Sequence, residues 1–171
     1  MRAFANAGYQ LRNARLEVRL VYSGFLALVA IGLATMAAMQ WTHIGPWPAQ
    51  IAAYYRGGER AGAMMFPKTF RELIEMTHFH AFIMGTVYLI MAHLLIATSV
   101  SDRVKRWAIV GGFCGLLGDL TGVWLVRYVS AHFAWWQLAS WIVEWTSFSI
   151  YCVVPLREMW SASGAGADGG D

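Results

Sequence analysis

Four long apolar stretches constrain this sequence of 171 residues more than any other feature. Each holds about 20 mostly apolar residues, the length at which an α-helix crosses the hydrocarbon core of a bilayer. We predict spans over residues 20–40, 73–100, 104–129 and 135–156, the last ending near Pro155. The predicted fold is therefore all-α: a four-helix transmembrane bundle with a long outer loop between helices 1 and 2.

The charge content excludes several classes of protein. Charged residues make up 13% of the chain, whereas soluble domains carry about 25%. The chain cannot cover a water-facing surface with so few charges. A soluble enzyme, a disordered regulator and a nucleic-acid-binding module are therefore excluded, and the lipid bilayer is the first predicted partner.

The segments outside the spans have simple predicted roles. Residues 1–19 form a basic cytoplasmic lead-in to the membrane domain, which covers residues 20–156. The outer loop, residues 41–70, is rich in the Trp and Tyr residues that favour membrane interfaces. Residues 157–171 lack apolar periodicity and are predicted to be a disordered tail.

The distribution of basic residues predicts the orientation in the membrane. Eight of the 13 Lys and Arg residues fall on the side that holds both termini. This excess favours an inner (plasma) membrane protein with N- and C-termini in the cytoplasm. Arg12, Arg15 and Arg19 are spaced to share one face of a helical lead-in, and we expect that face to rest on anionic headgroups.

Polar residues of the second span fall on one side of the predicted helix. At about 100° per residue, Glu75, His78, Thr86 and His93 lie within about 80° of one another, and His80 points elsewhere. Ionisable groups within a span are rare and mark a site by default. We therefore expect this stripe to face the interior of the bundle.

The third and fourth spans each carry one acid, Asp119 and Glu144. An acid near the middle of a bilayer must be protonated, paired or hydrated. We predict that these two acids carry protons or contact a quinone. Polar residues share the face of Glu144, and glycines line up beside Asp119: Gln137, Ser140, Ser147 and Tyr151 in the fourth span, and Gly111, Gly115, Gly118 and Gly122 in the third. The glycine spacing predicts close helix packing, or else clearance for a flat cofactor.

The histidines suggest a prosthetic group. His78 and His93 are separated by about 22 Å along one helix, so that one lies near each leaflet. In helix count, histidine placement and helix-lining glycines, residues 20–156 resemble four-helix b-type membrane cytochromes. The resemblance implies haem b near the outer leaflet, with His78 as one axial ligand and His132, or His43 in its place, as the other. His93 has no partner at its depth in this chain and needs a methionine, another subunit or a symmetry mate.

Other interpretations stay open at this point. Glu75, His78 and His80 form an alternative non-haem metal site, because an acid and a histidine three residues apart are used in di-iron bundles. The acids and histidines also form a ladder of titratable groups typical of proton relays.

The predicted function is an integral membrane redox or proton-handling subunit, and no particular enzymatic reaction follows from the pattern. The alternatives are a cofactor-free accessory or assembly subunit and a small proton-coupled transporter-like protein. The predicted partners are a larger membrane complex or a homo-oligomer, and a quinone.

Overall fold

The computed structural model describes residues 10–60 and 62–161, most of which are helical. The helices are α1 (Leu16–Met39), α2 (Pro48–Arg56), α3 (Phe70–Ile96), α4 (Asp102–Trp124) and α5 (Phe133–Ser161). The strands β1 (Gly58–Arg60) and β2 (Ala63–Met65) pair as an antiparallel hairpin after α2. A 3-10 turn, Leu11–Asn13, precedes α1, and the π-helical turns Gln40–Ile44 and Leu125–Val129 extend α1 and α4.

Three helical segments are long and apolar enough to cross a membrane: Leu16–Ile44, Phe70–Ile96 and Asp102–Val129. They correspond to the first three predicted spans, which begin and end within a few residues of these helices. The fourth predicted span is α5, a helix of 29 residues with polar side chains buried along its length. The length of α5 is sufficient to cross a bilayer. Its polar residues lower its mean hydropathy, so that α5 is not among the three helices that are apolar enough to do so.

The core lies between α3, α4 and α5, and the α4–α5 pair has the most extensive contact in the described chain. At its centre the ring of Tyr88 lies 4.7 Å from that of Phe148 and 5.8 Å from that of Tyr151. A second apolar cluster holds Ile51 and Tyr55 of α2 against the other helices. We call the end of the domain that carries α2 and the hairpin the loop end.

Two arginines fix the loop end in place. Arg56 donates from Nη1 to the carbonyl oxygen of Val126 at 2.9 Å, and Arg127 donates from Nε to the carbonyl oxygen of Lys68 at 2.7 Å. A helix end leaves carbonyl groups without partners inside the helix, so that a cation there satisfies them and complements the helix dipole. The predicted outer loop is therefore an ordered cap that contains a helix and a hairpin.

The lead-in differs from the prediction of a continuous helical face. Arg15 is in an extended conformation and interrupts the helix before α1, so that Arg12, Arg15 and Arg19 do not share one face. Leu11 is fully buried, and its N–H donates to the carbonyl oxygen of Ala97 at 3.0 Å. Burial of this leucine draws the described part of the lead-in, residues 10–15, onto the ends of the helices.

The end of α5 also differs from the prediction. The helix does not end near Pro155 but continues to Ser161, so that residues 157–161 are helical rather than part of a disordered tail. Proline removes one helical hydrogen bond, but Pro155 and Met159 are both fully buried. Their packing holds the last turns in place. The rest of the predicted tail, residues 162–171, lies outside the described residues.

Candidate functional site

A cavity of about 270 Å³ lies at the loop end, enclosed by parts of α1, α2, α3, α4 and α5. Much of its wall is apolar and is rich in methionine: Met36, Met39, Met76 and Met84 line it together with Leu120, Val123 and Trp141. Its polar lining converges from five segments: Gln40, His43, Tyr54, Tyr55, Thr77, His80, Asp119 and Glu144. An apolar pocket with a few convergent polar groups is the usual form of a binding or active site.

Asp119 is held in this wall by two donors from α5. Its Oδ1 atom accepts a hydrogen bond from Nε1 of Trp141 at 2.7 Å and another from Nε2 of Gln137. The amide oxygen of Gln137 is buried without a hydrogen-bond partner in the described chain. Two donors on one oxygen fix the carboxyl group and leave its other oxygen, Oδ2, for a ligand or a proton.

Glu144 reaches the same cavity from α5 and is 5% exposed. Its Oε1 atom accepts a hydrogen bond from the hydroxyl of Tyr88 at 3.3 Å. A Cβ atom added to Gly115 would lie 3.1 Å from the backbone nitrogen of Glu144. The predicted role of this glycine is therefore confirmed, because it lets α4 approach the backbone of α5 closely.

The polar face predicted for the fourth span is buried. The residues Gln137, Ser140, Glu144, Ser147 and Tyr151 are all buried. Ser140 donates to the carbonyl oxygen of Trp136 at 2.9 Å, and Tyr151 donates across to the carbonyl oxygen of Ala108 in α4 at 3.1 Å. Each hydroxyl thus has an acceptor within the helix pair, which lowers the free-energy cost of burying it.

His80 is the histidine that α3 brings to the cavity. Its Nδ1 atom lies 2.9 Å from the carbonyl oxygen of Met76. Because a carbonyl oxygen can only accept, Nδ1 carries the hydrogen in this pair, and Nε2 is left for the cavity. His43, in the π-helical turn after α1, lines the same cavity.

The predicted stripe of α3 lies on the other side of the helix, and the expectation that it faces the interior was wrong. Glu75, His78, Thr86 and His93 are all exposed. Glu75 accepts from Nε of Arg71 at 2.7 Å, and the ring of His78 packs 5.0 Å from that of Phe82.

Helical spacing gave the relative directions of these side chains but not which side of α3 the rest of the protein covers. That side is set by the bulk of Leu73, Tyr88 and Met91, which are fully buried. In a bilayer, helices associate through close side-chain packing, and the ring of Tyr88 packs against those of Phe113 and Phe148.

The predicted axial ligands His78 and His132 lie outside the cavity, and haem binding through them stays a prediction. His132 is exposed before α5, with Nδ1 3.1 Å from Oγ of Ser130, and neither His78 nor His132 lines the cavity. The alternative metal site is not assembled, because Glu75 and His78 are exposed whereas His80 faces the cavity. Within the described ranges, no group of three or more His, Cys, Asp or Glu residues could hold a metal ion.

The cap supplies one further group to the cavity. Tyr55 of α2 lines it and is 2% exposed. Burial, and secondarily the nearby charge of Asp119, raises the pKa of the Tyr55 phenol above its usual value. Tyr55 therefore stays neutral and can donate or accept a hydrogen bond at the loop end of the cavity.

Apolar helices of spanning length around this cavity define an integral membrane protein. Residues 45–166 match the family model Aq_1264_TM, which describes a transmembrane helical domain. The match covers most of the chain, and the protein belongs to this family. No curated protein and no solved structure matches the chain. The family description carries nothing specific to b-type cytochromes, so that the resemblance to them stays a prediction.

Proposed function

We propose that this protein is a proton-handling subunit of a membrane complex, and that Asp119 and Glu144 bind and release the protons. The observation that carries the proposal is the placement of two carboxyl groups, from adjacent helices, in the lining of one cavity. Intramembrane acids that face a cavity are the usual components of proton relays.

The proposal includes a four-helix transmembrane bundle in which α5 also spans the membrane. α5 has 29 residues and contacts α1, α3 and α4. Tyr151 and Glu144 have hydrogen-bond partners on α4 and α3, and Ser140 bonds to a carbonyl oxygen of α5 itself, which makes a polar helix compatible with a bilayer. Four spans place both termini on one side. The excess of Lys and Arg there supports a cytoplasmic location in an inner (plasma) membrane protein.

The hydrogen-bond donors at Asp119 and Glu144 suggest a different role in proton transfer for each acid. Asp119 has Oδ1 fixed by Trp141 and Gln137, so that Oδ2 exchanges protons with the cavity. Glu144 lies further from the loop end and is bonded through Oε1 to Tyr88. Tyr55 and His80 line the side of the cavity nearer the cap, from which protons would enter.

Infrared difference spectroscopy of the purified protein in liposomes tests the proposal directly. The C=O stretching band of a protonated carboxyl group is recorded over a range of pH. We expect bands that titrate in the wild-type protein, with one lost in Glu144→Gln and another lost in Asp119→Asn.

Glu17→Gln is the matched control, because Glu17 is exposed in the first turn of α1. This variant keeps both bands if the titrating groups are those of the cavity. A wild-type protein in which neither Asp119 nor Glu144 changes protonation over the accessible pH range would overturn the proposal.

A haem between His43 and His80 is a second candidate, in an arrangement different from the sequence prediction, and it requires the helices around the cavity to move apart, because a haem is larger than about 270 Å³. His80 and His43 both line the cavity. The Nδ1 hydrogen of His80 is bonded to a backbone carbonyl, as is usual for histidines whose other nitrogen binds a metal. An absorption spectrum decides. A Soret band lost in His80→Ala and kept in His78→Ala supports haem, and a colourless wild-type protein rules it out.

A further inference from the structure

A groove on the surface of α4 lies at the end of the domain opposite the loop end. Arg103, Arg106, Trp107 and Val110 line this groove, and all four side chains are exposed. Their spacing of three, four and seven residues from Arg103 places them on one face of the helix. The groove therefore combines two positive charges, an indole ring and an aliphatic side chain along a single helix face.

Neither arginine of the groove has a hydrogen-bond or ion-pair partner in the part of the chain that the structure describes. The two ion pairs found in that part both lie at the loop end. Neighbouring Lys105, by contrast, donates from Nζ to the carbonyl oxygens of Ile96 at 3.0 Å and of Thr98 at 2.7 Å. Lys105 thus satisfies carbonyl groups at the end of α3, whereas the guanidinium groups of Arg103 and Arg106 are available to a molecule outside this chain.

The stability of α4 does not explain the position of these two arginines. They lie in its first two turns, near the positive end of the helix dipole, where a positive charge is unfavourable. Asp102 is the acid of the first turn, and it forms no ion pair with either arginine in the described chain. An anion bound between the two guanidinium groups would offset the unfavourable charge.

The same face of α4 continues toward the middle of the span as an apolar surface. Cys114 and Leu117 follow Val110 at steps of four and three residues, and both are exposed. Trp107 is 72% exposed and lies near the end of the span, where tryptophan is common at membrane interfaces. From the end of α4 inward, the face runs from cations through an indole to apolar side chains. A phospholipid presents its phosphate, its glycerol esters and its acyl chains in that order.

We propose that the groove binds one phospholipid whose headgroup carries a net negative charge, such as phosphatidylglycerol. Arg103 and Arg106 donate hydrogen bonds to the phosphate oxygens, because a planar guanidinium group matches the geometry of a phosphate. Trp107 packs against the glycerol esters and Val110 against an acyl chain. Basic side chains beside a membrane span are typical of sites for anionic lipids.

Charge complementarity selects the class of phospholipid. A headgroup that also carries a cation, as in phosphatidylcholine, brings that cation toward Arg103 and Arg106. An anionic headgroup brings no such repulsion and is therefore preferred.

The lipid site is independent of the proton-handling function. None of the residues that line the groove lines the cavity, which lies at the loop end of the domain. Failure of either proposal therefore leaves the other unaffected.

Native mass spectrometry of the detergent-purified protein tests the site. Phosphatidylglycerol and phosphatidylcholine with the same acyl chains are titrated separately, and the dissociation constants of the first bound lipid are compared. We expect the constant for phosphatidylglycerol to be about tenfold lower or more. In the double variant Arg103→Gln with Arg106→Gln, the two lipids are expected to bind equally well, because the charges that distinguish them are gone.

The matched control is the double variant Arg12→Gln with Arg157→Gln. Both arginines are exposed at the same end of the domain and lie outside the groove, so that the control removes the same number of charges there. It is expected to keep the preference for phosphatidylglycerol. Trp107→Ala is expected to weaken the binding of both lipids by a similar factor, because it removes apolar contact but no charge. Equal circular dichroism spectra show that each variant is folded.

Three outcomes would overturn the lipid site. The first is a wild-type protein that binds the two lipids equally well. The second is a loss of preference in the control as large as that in the groove variant, which would mean that charge at this end acts without a defined site. The third is displacement of phosphatidylglycerol by inorganic phosphate at the same concentration, because the groove would then bind phosphate itself and not a lipid.

Discussion

The α4–α5 pair is tightly packed, whereas α1 is loosely packed against the rest of the protein. Close contact in the pair depends on Gly115 and Gly118, since a Cβ atom at Gly118 would overlap the side chain of Ser140 and one at Gly115 would press on the backbone of α5. In α1, by contrast, Leu26 is the one buried side chain of the helix, and Gly24 has open space around it. Close packing is thus concentrated in the α4–α5 pair, and the cavity lies between this pair and α1.

This difference explains where the two acids lie. The tight pair provides rigid donors, such as the indole nitrogen of Trp141, that hold Asp119 in one position. The loosely packed α1 leaves room beside that rigid surface, and its residues Met36 and Met39 form only part of the opposite wall. A fixed acid beside an open volume is what proton exchange requires.

The largest effect is expected from filling the glycine contact of the tight pair. Gly115→Leu adds a side chain at a position where even a Cβ atom would lie 3.1 Å from a backbone nitrogen of α5. Because backbone cannot give way cheaply, we expect a loss of about 3 kcal/mol or more in unfolding free energy. Reversible unfolding by sodium dodecyl sulfate in mixed micelles measures it.

Gly24→Leu is the control for that variant, because a Cβ atom at Gly24 meets nothing within 4 Å. A change below about 0.5 kcal/mol is expected there. Equal losses in the two variants would show that α1 is packed as tightly as α4 and would remove the contrast.

A slightly smaller loss of unfolding free energy is expected when Asp119 is replaced. Asp119→Leu leaves the indole N–H of Trp141 and the amide of Gln137 without their acceptor, and a buried donor left unpaired costs about 1–3 kcal/mol. Asp119→Asn keeps an oxygen for both donors, so that its loss should be about 1 kcal/mol or less. Thermal unfolding of the two variants compares them. Identical midpoints would mean that these hydrogen bonds do not position the acid.

The smallest expected difference in unfolding free energy is between substitutions at two leucines of α1. Leu26 is 3% exposed, and Leu26→Ala is expected to cost about 2 kcal/mol, at the low end for buried leucines because α1 has room to adjust. Leu28→Ala removes a side chain that is 71% exposed and should change stability by less than about 0.5 kcal/mol. If both substitutions are neutral by chemical unfolding, α1 contributes no packing at all.

Much of the helical architecture follows from the sequence. The second predicted span is confirmed to within a few residues: α3 begins at Phe70, after a capping box in which the hydroxyl of Thr69 accepts from the N–H of Glu72 at 3.2 Å. The polar face around Glu144 and the glycine contacts of α4 are confirmed because both patterns depend on spacing within one helix. Such local patterns do not require knowledge of how the helices are arranged.

The orientation of α3 did not follow from its stripe of polar residues. Thr77 and His80, which line the cavity, and Tyr88, which donates to Glu144, also fall within about 80° of one another on a helix. That second polar face, close to the large side chains of Met84 and Met91, was the signal that could have assigned the interior. When one helix carries two polar faces, its sequence does not show which face lies toward the interior of the protein. The packing of the neighbouring helices determines this.

The cap at the loop end was predicted only in part. Its place between the first two spans and its aromatic composition were predicted, and its residues 48–56 form α2. The hydrogen bonds of Arg56 and Arg127 to distant carbonyl groups could not be predicted, because they join segments about 60 to 70 residues apart. Contacts of that kind depend on the whole fold.

The most direct test of the account is the distance between spin labels on α3 and α4, measured by pulsed electron paramagnetic resonance in liposomes. One doubly labelled protein carries His80→Cys and Asp119→Cys, the other His78→Cys and Asp119→Cys, both without the native cysteines. The account predicts a clearly shorter distance for the first pair, because His80 and Asp119 line one cavity and His78 faces away from it. A shorter distance for the His78 pair would contradict it, since the face of α3 that carries His78 would then lie toward α4 and the cavity.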